Sequence, residues 1–173
     1  MLQTLSKSLV FALLLIGISS CSTSTIYLVR HAEKASQPVQ DPPLTAIGEQ
    51  RAEDLLNVLR DKNIQYVYST PTARTQATAA PLAKQMNVEI RPYGTDTLWE
   101  VARHLAKLKN GNTLVVGHSN TLLPLLDQFP VSHKKSSIPD SDYDNLFIVE
   151  VKRRFLRPDQ FTLTESTFGQ PAE

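Results

Sequence analysis

Four residues carry types suited to holding and attacking a tetrahedral anion: the adjacent Arg30 and His31, then Arg74, then His118. A guanidinium stays charged at any working pH and forks onto phosphoryl oxygens two hydrogen bonds at a time, so two arginines facing one site suit a phosphoryl dianion. An imidazole among them titrates close enough to neutrality to act as a nucleophile. Taken alone, Arg30-His31 is equally an Arg-His pair in a solvated turn. What decides between these readings is whether the chain brings the distant residues to one place.

The elements around them argue that it does. Residues 26–29 form an apolar run that ends abruptly at Arg30, as expected of a strand buried on both faces of a helix-covered parallel sheet. Thr45 is a good N-cap for a helix reaching about Asp61, whose Ala52, Leu55, Leu56 and Leu59 make one apolar stripe. A second strand at 66–68 runs into Ser69-Thr70-Pro71-Thr72, a helix-start turn, and Arg74 opens a helix reaching about Met86. Residues 88–91 read as a third strand. Leu98, Val101, Ala102, Leu105 and Leu108 mark an amphipathic helix closed by Asn110-Gly111. Residues 113–116 are a fourth strand, followed by Gly117-His118-Ser119-Asn120-Thr121 and a further helix. This alternation predicts an α/β three-layer sandwich with a mostly parallel central sheet and helices on both faces. Residues 146–151 and 161–164, around Lys152-Arg153-Arg154, predict an antiparallel edge hairpin. In such sheets the ligand crevice lies beyond the carboxyl ends of the strands, where Arg30, His31, Arg74 and His118 all fall.

The 173 residues, 41% hydrophobic and 20% charged, describe a single globular domain after a distinct leader. The net charge of +1 gives no reason to expect a nucleic-acid partner. Residues 1–20 have a polar start with Lys7 and an apolar run over 9–18 that is short for a bilayer span, the plan of a secretory signal. Small residues before the single cysteine make this segment resemble a bacterial lipoprotein signal, in which Cys21 is lipidated and anchors the chain to the membrane. The expected organisation is a signal over 1–20, a tether over 21–24, a domain over 25–168 and a flexible tail over 169–173. The expected location is the cell envelope, on the outer membrane if the bacterium has one.

With its neighbours, each of the three motifs becomes specific. Leu28-Val29-Arg30-His31-Ala32-Glu33 resembles the Arg-His-Gly/Ala signature of the histidine phosphatase superfamily, which includes phosphoglycerate mutases. Ser69-Thr70-Pro71-Thr72-Ala73-Arg74-Thr75 resembles its second arginine motif, and Val116-Gly117-His118 its second histidine motif. The resemblance implies a phosphatase in which His31 accepts the phosphoryl group and Arg30, Arg74 and His118 hold its oxygens, with no metal or other cofactor required and a small phosphorylated substrate. Asn120 is a candidate additional donor to that pocket, or a helix cap. The resemblance leaves the oligomeric state open.

The chain departs from the family pattern at the acid that protonates the leaving group. The segment after the third strand offers only Tyr93-Gly94-Thr95-Asp96, and the residue after the second histidine is Ser119. Glu33 is therefore the first candidate for general acid and Asp96 the second. Two rivals follow: a catalytically silent phosphoryl-binding lipoprotein, and a serine esterase using Ser119, whose G-x-S-x-G elbow is broken by Thr121. His104, His133 and Trp99 are expected to be packing or surface residues.

Overall fold

A computed structural model of the chain describes residues 22–171. In chain order its elements are β1 (Ser22–Arg30), α1 (Ala46–Leu59), β2 (Ile64–Ser69), α2 (Ala73–Met86), β3 (Ile90–Pro92), α3 (Leu98–Lys107), β4 (Asn112–Gly117), α4 (Ser119–Leu126), β5 (Asn145–Arg154) and β6 (Arg157–Thr167). The strands form one six-stranded sheet in the order β3-β2-β4-β1-β5-β6. β1 to β4 run parallel, while β5 is antiparallel to β1 and β6 to β5.

Side chains alternate across a strand, so a central strand must satisfy two cores at once. In β1, Ile26 and Leu28 pack with α3 and α4, together with Leu105, Leu122 and Phe147. Tyr27 and Val29 point the other way, against Leu55 and Leu59 of α1 and Leu82 of α2. The expected three-layer α/β sandwich follows. Its register sets Arg30 beside Gly117, and Ser69 beside Val116. The three motif-bearing strands therefore end side by side.

Four boundaries differ from expectation. β1 begins at Ser22, paired with Arg153, so residues 22–24 are strand rather than tether. The chain there gains ladder hydrogen bonds, and Ser24 is buried under the Arg153 guanidinium. β3 starts at Ile90 rather than Val88, because left-handed Asn87 ends α2 and the Val88 N–H bonds back to Ala83 O. Arg153 and its neighbours lie within β5 rather than between two short strands, since the Arg153 side chain turns inward to the carbonyls of Ala106 and Leu108. Finally, the start of the expected tail is held: Arg51 Nη1 donates to Phe168 O at 3.2 Å and to Gln170 O at 2.8 Å.

The start of α1 is latched to the loop that follows His31. Thr45 caps α1 by accepting from the Gly48 N–H at 3.1 Å, while its own N–H and hydroxyl donate to Glu33 O. Gly48 lies so near that loop that a Cβ there would sit 2.3 Å from Glu33 O. Gly48→Ala must push the helix off the loop and is expected to destabilise the domain by about 1–3 kcal/mol, read as a lower melting temperature. An unchanged melt would show that this contact yields without cost.

Candidate active site

His31 closes β1, its N–H bonded to Gly117 O at 2.9 Å and the residue 3% exposed. Nδ1 lies 2.8 Å from Ala32 O, an acceptor only, so Nδ1 carries the proton and Nε2 carries the lone pair. Burial pushes its pKa down to about 3, opposed by the Ala32 bond and reinforced by the nearby charges of Arg30 and Arg74. At neutral pH the ring is thus an uncharged imidazole with one fixed tautomer and one basic nitrogen.

His118, first residue after β4, stands edge-on to His31 with ring centroids 5.3 Å apart. A chain of hydroxyls fixes its tautomer. Thr75 donates to the carbonyls of Thr70 and Thr72, and Thr70 Oγ1 donates to Thr75 Oγ1 at 3.0 Å. Thr70 Oγ1 is left to accept from His118 Nε2 at 2.8 Å. Nδ1 of His118 then faces Arg74 Nη2 at 3.5 Å. Burial, followed by the Arg74 and Arg30 charges, lowers the His118 pKa to about 4. The two imidazoles are neutral together, and the positive charge beside them is that of the arginines.

Arg30 is 1% exposed. Its Nη1 donates to the carbonyls of Pro139, Asp140 and Asp142 at 2.7, 3.0 and 3.2 Å, and its guanidinium lies 4.3 Å above the Tyr143 ring. The 130–144 loop is thereby pinned over the ends of β1 and β4. Arg74, at the start of α2, reaches His118 on one side and Asp41 at 3.5 Å on the other. Asp41 also accepts from the Ala73 N–H at 3.0 Å, capping α2. Nε of Arg30 and Nε of Arg74 are both buried and without a hydrogen-bond partner among the described residues. Such donors are rare in folded proteins and mark where an acceptor belongs.

Glu33 is not placed as a proton donor. Both of its carboxylate oxygens accept from Arg51, at 2.6–2.9 Å, and Arg51 is itself buried against the C-terminal segment. Glu33 is the counter-ion that lets α1 carry a buried guanidinium, which corrects the assignment of a general acid to it. Asp96 is exposed in the turn before α3. Asn120 is exposed on the first turn of α4, lining a cleft of about 360 Å³ with Ser136, Ser137 and Ile138. Ser119 opens α4, and the neighbouring His118 Nε2 is committed to Thr70 rather than to a serine hydroxyl. Cys21 lies outside the described residues. His104 bonds the Tyr68 hydroxyl at 2.8 Å, His133 bonds Asp127 at 3.0 Å, and the Arg103 guanidinium lies 4.6 Å over half-exposed Trp99. Among the described residues no group of three or more His, Cys, Asp or Glu is placed to hold a metal ion.

A profile described as "Histidine phosphatase superfamily (branch 1)" matches residues 26–101, the stretch from β1 into α3. Over that stretch the chain is similar to members of the histidine phosphatase superfamily. A phosphoserine phosphatase 1 of Hydrogenobacter thermophilus is 35% identical over 71 residues, which is 38% of this chain and 34% of that protein. The chain thus spans about a third of the length of the curated relatives it matches. Solved structures extend the likeness to the whole fold. The protein histidine phosphatase SixA complexed with tungstate is 20% identical, with a TM-score of 0.59 over 83% of this chain and 96% of that one. A phosphoglycerate mutase from Bacillus anthracis is 15% identical, with a TM-score of 0.55 over 75% and 88%. The histidine phosphatase profile ends before His118, so the second histidine is joined to the motif by the β1–β4 pairing rather than by sequence match.

Proposed function

We propose that the protein is a phosphatase that works through a phosphohistidine on His31. The observation that carries this reading is the locked tautomer: with Nδ1–H held by Ala32 O, the neutral ring has only Nε2 to offer as nucleophile. In the forward step Nε2 attacks phosphorus and the bond to the leaving oxygen breaks. A water then attacks the phosphohistidine, releasing inorganic phosphate and restoring the imidazole. The unpartnered Nε–H groups of Arg30 and Arg74 support their role as donors to the phosphoryl oxygens, with His118 completing the pocket.

We further propose that Cys21 is lipidated after removal of 1–20 and that the domain over 22–171 acts outside the cytoplasm on a small phosphorylated substrate. The apolar run at 9–18 followed by small residues and the single cysteine supports this.

The test is a rapid-quench labelling with a ³²P acyl phosphate. The expected product is an acid-labile, base-stable phosphoenzyme, with turnover inhibited by vanadate or tungstate. Absence of both label and phosphate release would leave a phosphoryl-binding protein, and labelling of Ser119 by an organophosphonate would turn the reading to an esterase.

The carboxylate that reaches Arg74, beside His118, is Asp41 rather than Glu33. Asp41 is half-exposed and its contact with Arg74 is long, unlike the 2.6 Å pair that holds Glu33. Asp41→Asn is therefore expected to slow alkyl phosphates about 10²-fold more than aryl phosphates, whose phenolate leaves unaided. Glu33→Gln is expected to slow both classes alike and to lower the melting temperature through Arg51. Equal loss on both substrates in Asp41→Asn would favour a second reading, a phosphatase of phosphohistidine or acyl phosphates. That reading is supported by the engagement of Glu33 with Arg51 and by the fold likeness to a protein histidine phosphatase.

A further inference from the structure

A cavity of about 700 Å³ lies at the opposite pole from His31, where β1 begins and the β5–β6 hairpin turns. β1 runs nine residues from Ser22 to Arg30, about 30 Å. Ser22, Lys107, Lys109, Arg154, Phe155 and Leu156 line that cavity. Arg154 pairs with Arg157, so Phe155 and Leu156 are the two residues of the turn itself.

Those two residues are unexpected. A tight hairpin turn favours Asn, Asp or Gly, because a left-handed backbone crowds a side chain. Here Leu156 holds φ +57°, and Phe155 and Leu156 are 61% and 87% exposed. The turn thus combines backbone strain with exposed apolar surface, and burial within the domain offsets neither. Around the tip, Lys107, Lys109 and Arg157 are exposed and Arg154 is half-buried, while the cavity lining holds a single acid, Asp159. An apolar tip in a basic collar matches the interface of a bilayer with anionic headgroups.

The chain ahead of this pole says what would cover it. Cys21 is one residue, about 3.8 Å between Cα atoms, from the first residue of a strand already paired in the sheet. A lipid on Cys21 would have no slack, and the pole carrying Phe155 and Leu156 would have to lie at the headgroups. We infer that the Phe155-Leu156 tip and its basic collar are a membrane-docking face, which inserts at an anionic bilayer surface and holds the His31 site directed away from it. This rests on the lipid anchor proposed above and adds an orientation to it.

The experiment uses the full chain, produced in a bacterium and reconstituted in phosphatidylethanolamine–phosphatidylglycerol vesicles containing brominated acyl chains. Trp99→Phe combined with Phe155→Trp places the only tryptophan at the tip. Its emission is expected to shift to the blue and to be quenched, whereas Trp99 of the unaltered protein, at the far end of α3, stays unquenched. Leu156→Gly supplies a second arm: it relieves the left-handed strain, so the melting temperature should rise while the tip's quenching falls. The anchor is read separately, from the mass of the Cys21 peptide and from retention in membranes after a carbonate wash. A lipidated, retained protein whose tip tryptophan is unquenched overturns the docking face and leaves the anchor standing. An unlipidated protein overturns the anchor, and then quenching on added vesicles upholds the face while its absence overturns it. Tip emission already blue-shifted without lipid means that protein covers the tip, and overturns the proposal.

Discussion

His31→Ala is expected to reduce turnover by about four orders of magnitude or more while leaving the domain folded. The size follows from what the residue supplies. If Nε2 forms the covalent intermediate, its loss removes the reaction path and leaves only the pocket's electrostatics. The ring's own hydrogen bond goes to Ala32 O, beside it in the chain, so truncation frees one carbonyl without opening a distant network. Retention of more than about a hundredth of the activity would exclude His31 as nucleophile, because proton transfer alone contributes about 10²–10⁴-fold. Circular dichroism and a thermal melt on the same sample separate loss of chemistry from loss of structure.

A second large effect is expected in stability against pH. An unfolded imidazole takes up a proton near pH 6.5. In the fold, burial holds His31 off until about 3 and His118 until about 4. Below 6.5 the unfolded chain therefore binds more protons than the folded one, and stability falls as pH falls. Each histidine contributes at most about 1.4 kcal/mol per pH unit, so at pH 5 the two together remove up to about 4 kcal/mol. That is a large share of the roughly 5–15 kcal/mol of a typical domain. Denaturant melts between pH 7.5 and 5 should show it, and His31→Ala should remove about half of the slope. A flat profile in the unaltered protein would mean that both rings are solvated. The same neutrality predicts that kcat/KM shows no acid limb near 6.5.

What can be read from the sequence is local. The apolar run before Arg30 and the two other motif-bearing strand ends point to the layered sheet and to one edge that gathers Arg30, His31, Arg74 and His118. What cannot be read is pairing across the chain. Glu33 sits two residues from His31 and looks like its acid, but its partner, Arg51, is 18 residues on, on a helix face whose charge gives no sign of burial. Asp41 reaches Arg74 from 33 residues away, and Thr70 reaches His118 from 48. Asp41 stands before two prolines in a polar loop, where nothing in the local pattern marks a carboxylate for a helix cap. The short β3 has a different cause, since a helix cap takes the Val88 N–H that a strand would have used.

Arg30 grips the loop above the site by its main chain, through the carbonyls of Pro139, Asp140 and Asp142, and by one ring, that of Tyr143, while its ion pair with Asp140 involves a side chain that is 96% exposed. Every residue type has the same carbonyl. Side chains along that loop other than Tyr143 can therefore drift through evolution, or be exchanged in a library, while Arg30 and His31 keep their positions. The architecture separates a fixed Arg30–His31 centre from a rewritable rim, so single substitutions in the rim can change what the pocket admits without moving those two side chains.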